Sequence, residues 1–348
     1  MRHATAALTL AVFGAASLTL SQAAGGGQGT LGRKTLDIYF IDVEGGQSTL
    51  VVTPAGQSML IDAGYAGMAN RDADRVKAAA RDARINGLDY LLITHFHGDH
   101  AGGVPEVVRH LPVKTFVDYG EPIETAAFSA EPFAAYKPLR AHAAQVHPKP
   151  GDRLPLTGLD VKVLSAGGAL STTPLAGAGQ ANPACTGLGV LPDPPSENPR
   201  SVGIRMKFGT FTFLDLGDLP GKNLAALACP TNLIGHIDLY LVPHHGNKDT
   251  AIPAVIAAVT PRVAILNNGT TKGGDADAFT ALRGAKGIED VWQLHKTSHS
   301  DARNFPDEVI ANIEAGPNDM GAWIKVSAEE NGRFTVTNGR TGLTRIYR

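Results

Sequence analysis

Apolar and polar residues alternate from Leu36 to Val43, the period of a strand with one face on a core. Thr49–Val52 and Met59–Ile61 predict two more strands, and the Pro54-Ala55-Gly56 turn joins them as a hairpin. Residues 69–83 mix helix formers with charges and predict an exposed amphipathic helix. Leu91–Thr94 is a short β-prone run. A helix near Pro105–His110, a strand at Thr115–Val117, a helical stretch between Glu124 and Gln145 and a strand at Val161–Leu164 come next. Residues 166–199 then hold six prolines and six glycines, which excludes a long regular element and predicts a loop over 166–200. Strands return at Val202–Phe208, Thr210–Leu216, Leu239–Val242, Val263–Leu266 and Val291–Leu294. Helices are expected near Asn223, Pro253–Val259 and Ala276–Leu282. Trp323–Val326 and Phe334–Val336 read as a hairpin around Asn331-Gly332. The halves on either side of the Pro/Gly-rich loop share this grammar. The expected class is mixed α/β (α+β): two sheets face to face with helices outside, a four-layer αββα sandwich.

Length and charge narrow the picture. The 348 residues allow one large domain, and 43% apolar content supplies a core. A formal net charge of -2 carries no strong footprint for nucleic acid or an anionic membrane. Arg2 and His3, the uncharged run Ala4–Leu20 and the small residues of Ser21-Gln22-Ala23 have the form of a secretory leader. The expected organisation is a signal peptide over 1–24, a glycine-rich flexible tether over 25–34 and one domain over 35–348. The product would be secreted or periplasmic, with no membrane span left after cleavage. In such an oxidising compartment Cys185 and Cys229 are expected to pair, with Cys185 as a metal ligand the rival reading. The pattern says nothing of oligomeric state.

The densest chemistry is Thr94-His95-Phe96-His97-Gly98-Asp99-His100, three histidines and an aspartate directly after a strand. Imidazole and carboxylate together suit zinc, manganese or iron. His95 and His97 can turn to one metal. Gly98 lets the chain curl so that Asp99 and His100 address a second, and Gly102 and Gly103 allow close approach.

His-X-His-X-Asp-His after a strand resembles the metallo-β-lactamase superfamily. Leu60-Ile61-Asp62-Ala63-Gly64, Leu216-Gly217-Asp218 and Val242-Pro243-His244-His245-Gly246 are similar to its other motifs, in order. Pro-His-His-Gly, with Phe40-Ile41-Asp42-Val43 and Asn198-Pro199-Arg200-Ser201, is similar to a narrower branch. That branch holds the soluble domains of DNA-uptake competence proteins and phosphorylcholine esterases. The resemblance implies the metallo-β-lactamase fold and two divalent ions, zinc first, with manganese or iron as alternatives. His95 and His97 would hold one ion, and Asp99, His100 and His245 the other. Asp218 would bridge both, Asp62 would orient the histidine loop, and His244 would act from behind or touch substrate. The chain departs from the common pattern because no histidine lies between His147 and His236. Asn198, Cys185 or water would fill that ligand position. His295 and His299 are expected on a surface loop, with a substrate contact as the lesser alternative.

The implied function is an exported hydrolase using a metal-activated hydroxide on a phosphodiester, ester or lactone. Asp99 and Asp218 would be its catalytic carboxylates, and its partner a small-molecule or phosphodiester substrate. The alternatives are a mononuclear iron dioxygenase of the same fold and a non-catalytic binding protein that retains a metal.

Overall fold

The computed structural model describes Met1 and residues 34–189, 192–316 and 319–348. Apart from Met1 and Lys34, the expected leader and tether lie outside the described residues. Every described strand and helix belongs to the unit Arg33–Arg348.

In chain order the strands are β1 (Leu36–Phe40), β2 (Thr49–Val52), β3 (Ser58–Ile61), β4 (Leu88–Leu92), β5 (Val113–Val117) and β6 (Ala144–Val146). Then come β7 (Arg153–Leu154), β8 (Asp160–Ala166), β9 (Ala169–Leu170), β10 (Gly203–Phe208), β11 (Phe211–Asp215) and β12 (Leu239–Leu241). The last are β13 (Val263–Leu266), β14 (Asp290–His295), β15 (Ile310–Asn312), β16 (Ile324–Ala328), β17 (Phe334–Asn338) and β18 (Thr344–Tyr347). Between them run α1 (Arg71–Asp82), α2 (Gly98–Ala101), α3 (Val104–Val107), α4 (Ala127–Arg140), α5 (Gly221–Ala226), α6 (Pro253–Val259) and α7 (Ala276–Gly284).

The first sheet has the order β18-β17-β16-β1-β2-β3-β4-β5-β6 and the second β15-β14-β13-β12-β11-β10-β8-β7, with β9 on β8. From β3 to β6 the pairs are parallel. Parallel neighbours need crossovers, and α1 and α4 supply two of them along the outer face. The same logic gives β11 to β15 in parallel, with α6 and α7 outside.

Three apolar layers hold the sandwich. Leu36, Ile38 and Phe40 point inward to Phe213, Leu239 and Trp292 between the sheets. Tyr39 and Ile41 point the other way, to Val76 and Ala79 of α1. Leu224, Val255 and Phe279 cover the second sheet. Each such side chain removed from water contributes about 1.5–3 kcal/mol. The expected one-sided burial of β1 is therefore replaced by burial of all five residues, because both faces of the sheet are covered.

The tail hairpin returns to the first sheet, β16 pairing antiparallel with β1. At the far end of the strands Trp292 Nε1 donates to Tyr347 Oη at 3.0 Å, and Phe334 stacks on Tyr347. The Pro/Gly-rich stretch holds only β9 and short turns among its described residues. Cys185 and Cys229 are joined as a disulfide, which tethers it to the chain after α5. Among the described residues no helix is long and apolar enough to cross a membrane.

Candidate metal centre

The histidine-rich loop leaves the end of β4, and Asp62 fastens it from the end of β3. Thr94 donates to Asp62 twice, from its amide to Oδ1 at 2.8 Å and from its hydroxyl to Oδ2 at 2.7 Å. His100 Nδ1 lies 2.7 Å from the same Oδ2. The loop is pressed close to its neighbours: a Cβ on Gly103 would lie 2.1 Å from Ala63 O, and one on Gly46 2.4 Å from Asp99 O. From the second sheet, Asp218 follows β11 and the 243–246 turn follows β12. His244 and His245 both adopt left-handed backbone, φ 50° and 56°. Two consecutive non-glycine residues in that region store strain, which clusters at functional sites.

The structure brings the expected residues to one point. Around Asp218 Oδ2 stand His100 Nε2 at 3.1 Å, His245 Nε2 at 3.3 Å, His95 Nε2 at 3.7 Å and His244 Nε2 at 3.8 Å. Asp99 Oδ2 is 3.3 Å from His100 Nε2 and 3.2 Å from His245 Nε2. His97 Nδ1 faces His95 Nε2 at 3.0 Å. Ligand atoms of Asp99, His100, Asp218 and His245 all fall within 4.8 Å of one another.

Each imidazole but one is also held from behind. Thr94 Oγ1 lies 3.1 Å from His95 Nδ1, Glu124 Oε2 2.9 Å from His97 Nε2, and Asp249 Oδ1 2.9 Å from His244 Nδ1. Asp62 does this for His100, and only His245 Nδ1 is without a partner. Such contacts fix tautomer and ring direction. Thr94 gives its hydroxyl proton to Asp62, so it accepts from His95 Nδ1–H. Glu124 accepts from His97 Nε2–H. With both rings neutral, two lone pairs then face each other 3.0 Å apart, an arrangement that a cation between or beside them satisfies. Asp99 Oδ1 and Asp218 Oδ1 are buried with no hydrogen-bond partner. This donor set fits a divalent metal of the zinc, manganese or iron kind.

Burial disfavours a charge on His100, but Asp218, Asp99 and Asp62 outweigh it and hold His100 well above its ordinary value, so in the metal-free chain it carries the positive charge of the cluster. Burial opposes ionisation of Asp99 and Asp218, yet His100 chiefly, with Lys272 and His245 respectively, holds both well below the usual carboxylate range. Burial, reinforced by His100 and His97, holds His95 well below its ordinary value. His95 is therefore neutral at pH 7, as a ligand must be.

Asn198 reaches the site: its Nδ2 is 3.1 Å from His244 Nε2, and its Oδ1 is buried without a partner. Cys185 does not, since its sulfur is in the disulfide. His295 is not on a surface loop. It ends β14, is 1% exposed and lies 2.7 Å from Asp42. Beyond it the loop after β14 alternates exposed and buried residues, and His299 there is partly exposed. Two residues at the site carry no sequence signal. Glu124 is an ordinary loop residue, placed because Glu197 accepts from the Ile123 and Glu124 amides at 2.7 and 2.9 Å. Lys272 contacts Asp99 and lies 3.3 Å from Tyr65 Oη. Its loop reads in sequence as a plain glycine-rich turn.

The metallo-β-lactamase superfamily model matches residues 41–191, the segment that carries Asp62 and the histidine cluster. That segment is a little under half of the chain, and over it the sequence is similar to the metallo-β-lactamase superfamily. The chain is 36% identical over 67 residues to an atrochrysone carboxyl ACP thioesterase of Aspergillus terreus, 19% of this chain and 20% of that protein. It is 35% identical over 69 residues to a lactamase-like protein of Aspergillus niger, again 19% and 20%. The match thus spans about a fifth of the length of these relatives. Among solved structures, a subclass B3 metallo-β-lactamase from a soil metagenome library aligns at 15% identity and TM-score 0.35, over 62% of this chain and 77% of that one. CmlA, a diiron β-hydroxylase of Streptomyces venezuelae, aligns at 14% identity and TM-score 0.39, over 74% and 48%.

Proposed function

We propose that this chain is an exported metallohydrolase that cleaves an ester-type bond: a carboxylic ester, thioester or lactone, or a phosphodiester. The observation that carries this is the convergence of four imidazole nitrogens on Asp218 Oδ2 from two different sheets. His95 and His97 would hold one ion, Asp99, His100 and His245 a second, and Asp218 would touch both. Zinc is the first choice for both, with manganese or iron as alternatives. When bound, such ions lower the pKa of a coordinated water to near 7 and polarise the bond under attack.

The chain's own residues supply the rest. Thr94 and Glu124 direct the lone pairs of His95 and His97 inward, and Asp62 accepts from the Nδ1–H of His100, whose Nε2 would give up its own proton to a bound ion. Asp99 and Asp218 stay ionised and are placed to accept the proton that the attacking water gives up. His244, its Nδ1 held by Asp249, and Asn198 present an adjustable pair beside Asp218, suited to the oxygen that gains charge during attack. Lys272 is a further positive group on the Asp99 side.

The Cys185–Cys229 disulfide supports an oxidising compartment and so agrees with the leader-like N-terminal pattern. The fungal relative named as a thioesterase supports acyl esters and thioesters as first substrates to try. The test is a panel of carboxylic esters, acyl thioesters, lactones, phosphodiesters and β-lactams, assayed after chelation and again after adding zinc or manganese. Turnover lost on chelation and restored by metal is the expected result. Turnover that persists without metal, or none on any class, refutes the reading.

A further inference from the structure

A second group of ligand-type side chains lies outside this centre. Asp42 and Glu44 follow β1, His295 ends β14, and Asp319 comes from the chain between β15 and β16. One ligand atom from each lies within 4.8 Å of the others. Asp42 is fully buried and His295 is 1% exposed. His295 Nε2 sits 2.7 Å from Asp42 Oδ1 and 3.6 Å from Glu44 Oε2. The approach to Asp42 is that of an ion pair off the hydrogen-bonding line, so this buried nitrogen makes no aligned hydrogen bond. A knot of carboxylates by itself would say little. An imidazole nitrogen shut away from water and turned into that knot, off any hydrogen-bonding line, points to a ligand.

The other contacts build a frame around the four. Arg75 grips both Asp42 Oδ2 and Asp319 Oδ2. Its guanidinium therefore fixes two of the carboxylates from outside. The Glu44 amide donates to Asp42 Oδ1 at 3.0 Å, and the Gly321 amide to Asp319 Oδ1 at 3.1 Å. Arg75 offsets one of three carboxylate charges. The remaining crowding is visible at Glu44, whose carboxyl is pushed up by burial and by its contact with Asp319.

We propose that Asp42, Glu44, His295 and Asp319 form a further divalent cation site, separate from the centre around Asp218. Three carboxylates with one imidazole suit manganese or zinc; calcium and magnesium prefer oxygen alone. The ion would join the ends of β1 and β14, one strand from each sheet. It would also stiffen the loop whose Gln47 amide donates to Asp99 O at 3.1 Å.

The test counts ions. The full chain is stripped with chelator, equilibrated with manganese chloride or zinc chloride, desalted and analysed for metal per chain. The His100→Ala, Asp218→Ala double variant removes the first centre and should still hold one ion. Adding His295→Gln to it should weaken that ion at least tenfold. In the double variant, bound manganese should show nitrogen coupling in its electron spin echo, lost with His295→Gln. Should the double variant fail to fold, Glu44→Gln in the otherwise unaltered chain must lower the total by one. A folded double variant that binds no ion, or an unchanged count in Glu44→Gln, overturns the proposal. A protonated His295 closing an ion-pair ring with Arg75 would then be the correct description. These outcomes leave the hydrolase reading untouched, because the two residue sets do not overlap.

Discussion

The two clusters offset buried negative charge in opposite ways. Around Asp218 five imidazoles surround two carboxylates, and Lys272 stands at the edge on Asp99. Around His295 three carboxylates surround one imidazole, and Arg75 clamps two of them from outside. A guanidinium is a permanent charge that cannot be displaced by pH, so Asp42 and Asp319 stay in place with or without an ion. The first has no such clamp. Its geometry depends on hydrogen bonds behind each ring. On the proposed function, the first cluster would present open coordination positions to a substrate and the second would hold a fixed arrangement.

Breaking the first cluster should have the largest effect. Asp218→Ala removes the shared contact and should lower kcat/KM about 1000-fold or more on any hydrolysed substrate, a loss of several kcal/mol in the barrier. The fold should survive, as checked by circular dichroism. Unchanged turnover would show that the two clusters had been assigned the wrong way round. Asp62→Ala leaves every ligand in place but frees the Thr94–His100 loop. Metal affinity, measured by competition with a chelator, should fall about 10- to 100-fold.

A buried carboxylate outside both clusters sharpens the contrast, because among the described residues its hydrogen-bond donors are amides, with no imidazole or guanidinium. Asp215 receives Gln47 Nε2 at 3.0 Å and the Gly217 amide at 2.9 Å. Burial pushes it up to about 7 from an ordinary 3.8. The folded chain then keeps a proton that the unfolded chain releases, so this group lowers stability as pH rises from about 4 to about 7, with no further loss above. In metal-stripped protein Asp215→Asn should gain about 2 kcal/mol on the parent between about pH 5 and about pH 7. Urea unfolding at both values checks it, and an equal difference at both sinks it. The smallest effect is expected at Glu124→Gln. It keeps a hydrogen bond to His97 but loses the charge, and should weaken metal binding only a few-fold, within the lower end of such effects.

How much of this was legible depends on distance along the chain. His95, His97, Asp99 and His100 lie within six residues, and a strand–loop pattern sufficed to read them together. Asp62, Asp218 and the 244–245 pair were readable because each sits in a short motif at a strand end. Glu124 and Lys272 were not, since one acidic and one basic loop residue look like any others until Glu197 and the 267–275 turn place them. The Asp42–Asp319 group was invisible for a stronger reason. It forms only when β16 returns to pair with β1 and β14 aligns opposite, contacts that no local pattern announces. The four-layer plan was readable from the alternation of strands and helices. Which sheet takes the tail hairpin was not, because its period of two fits either.

The rims of the sandwich are fastened by different materials. At one end of the strands Trp292, Phe334 and Tyr347 form a dry aromatic spine. At the other, histidines and aspartates from both covers meet across the gap. The molecule is thus a book with a permanent binding and a clasp: on the proposed function, taking the metal away should loosen the histidine side of the clasp first, while Arg75 keeps its grip on Asp42 and Asp319.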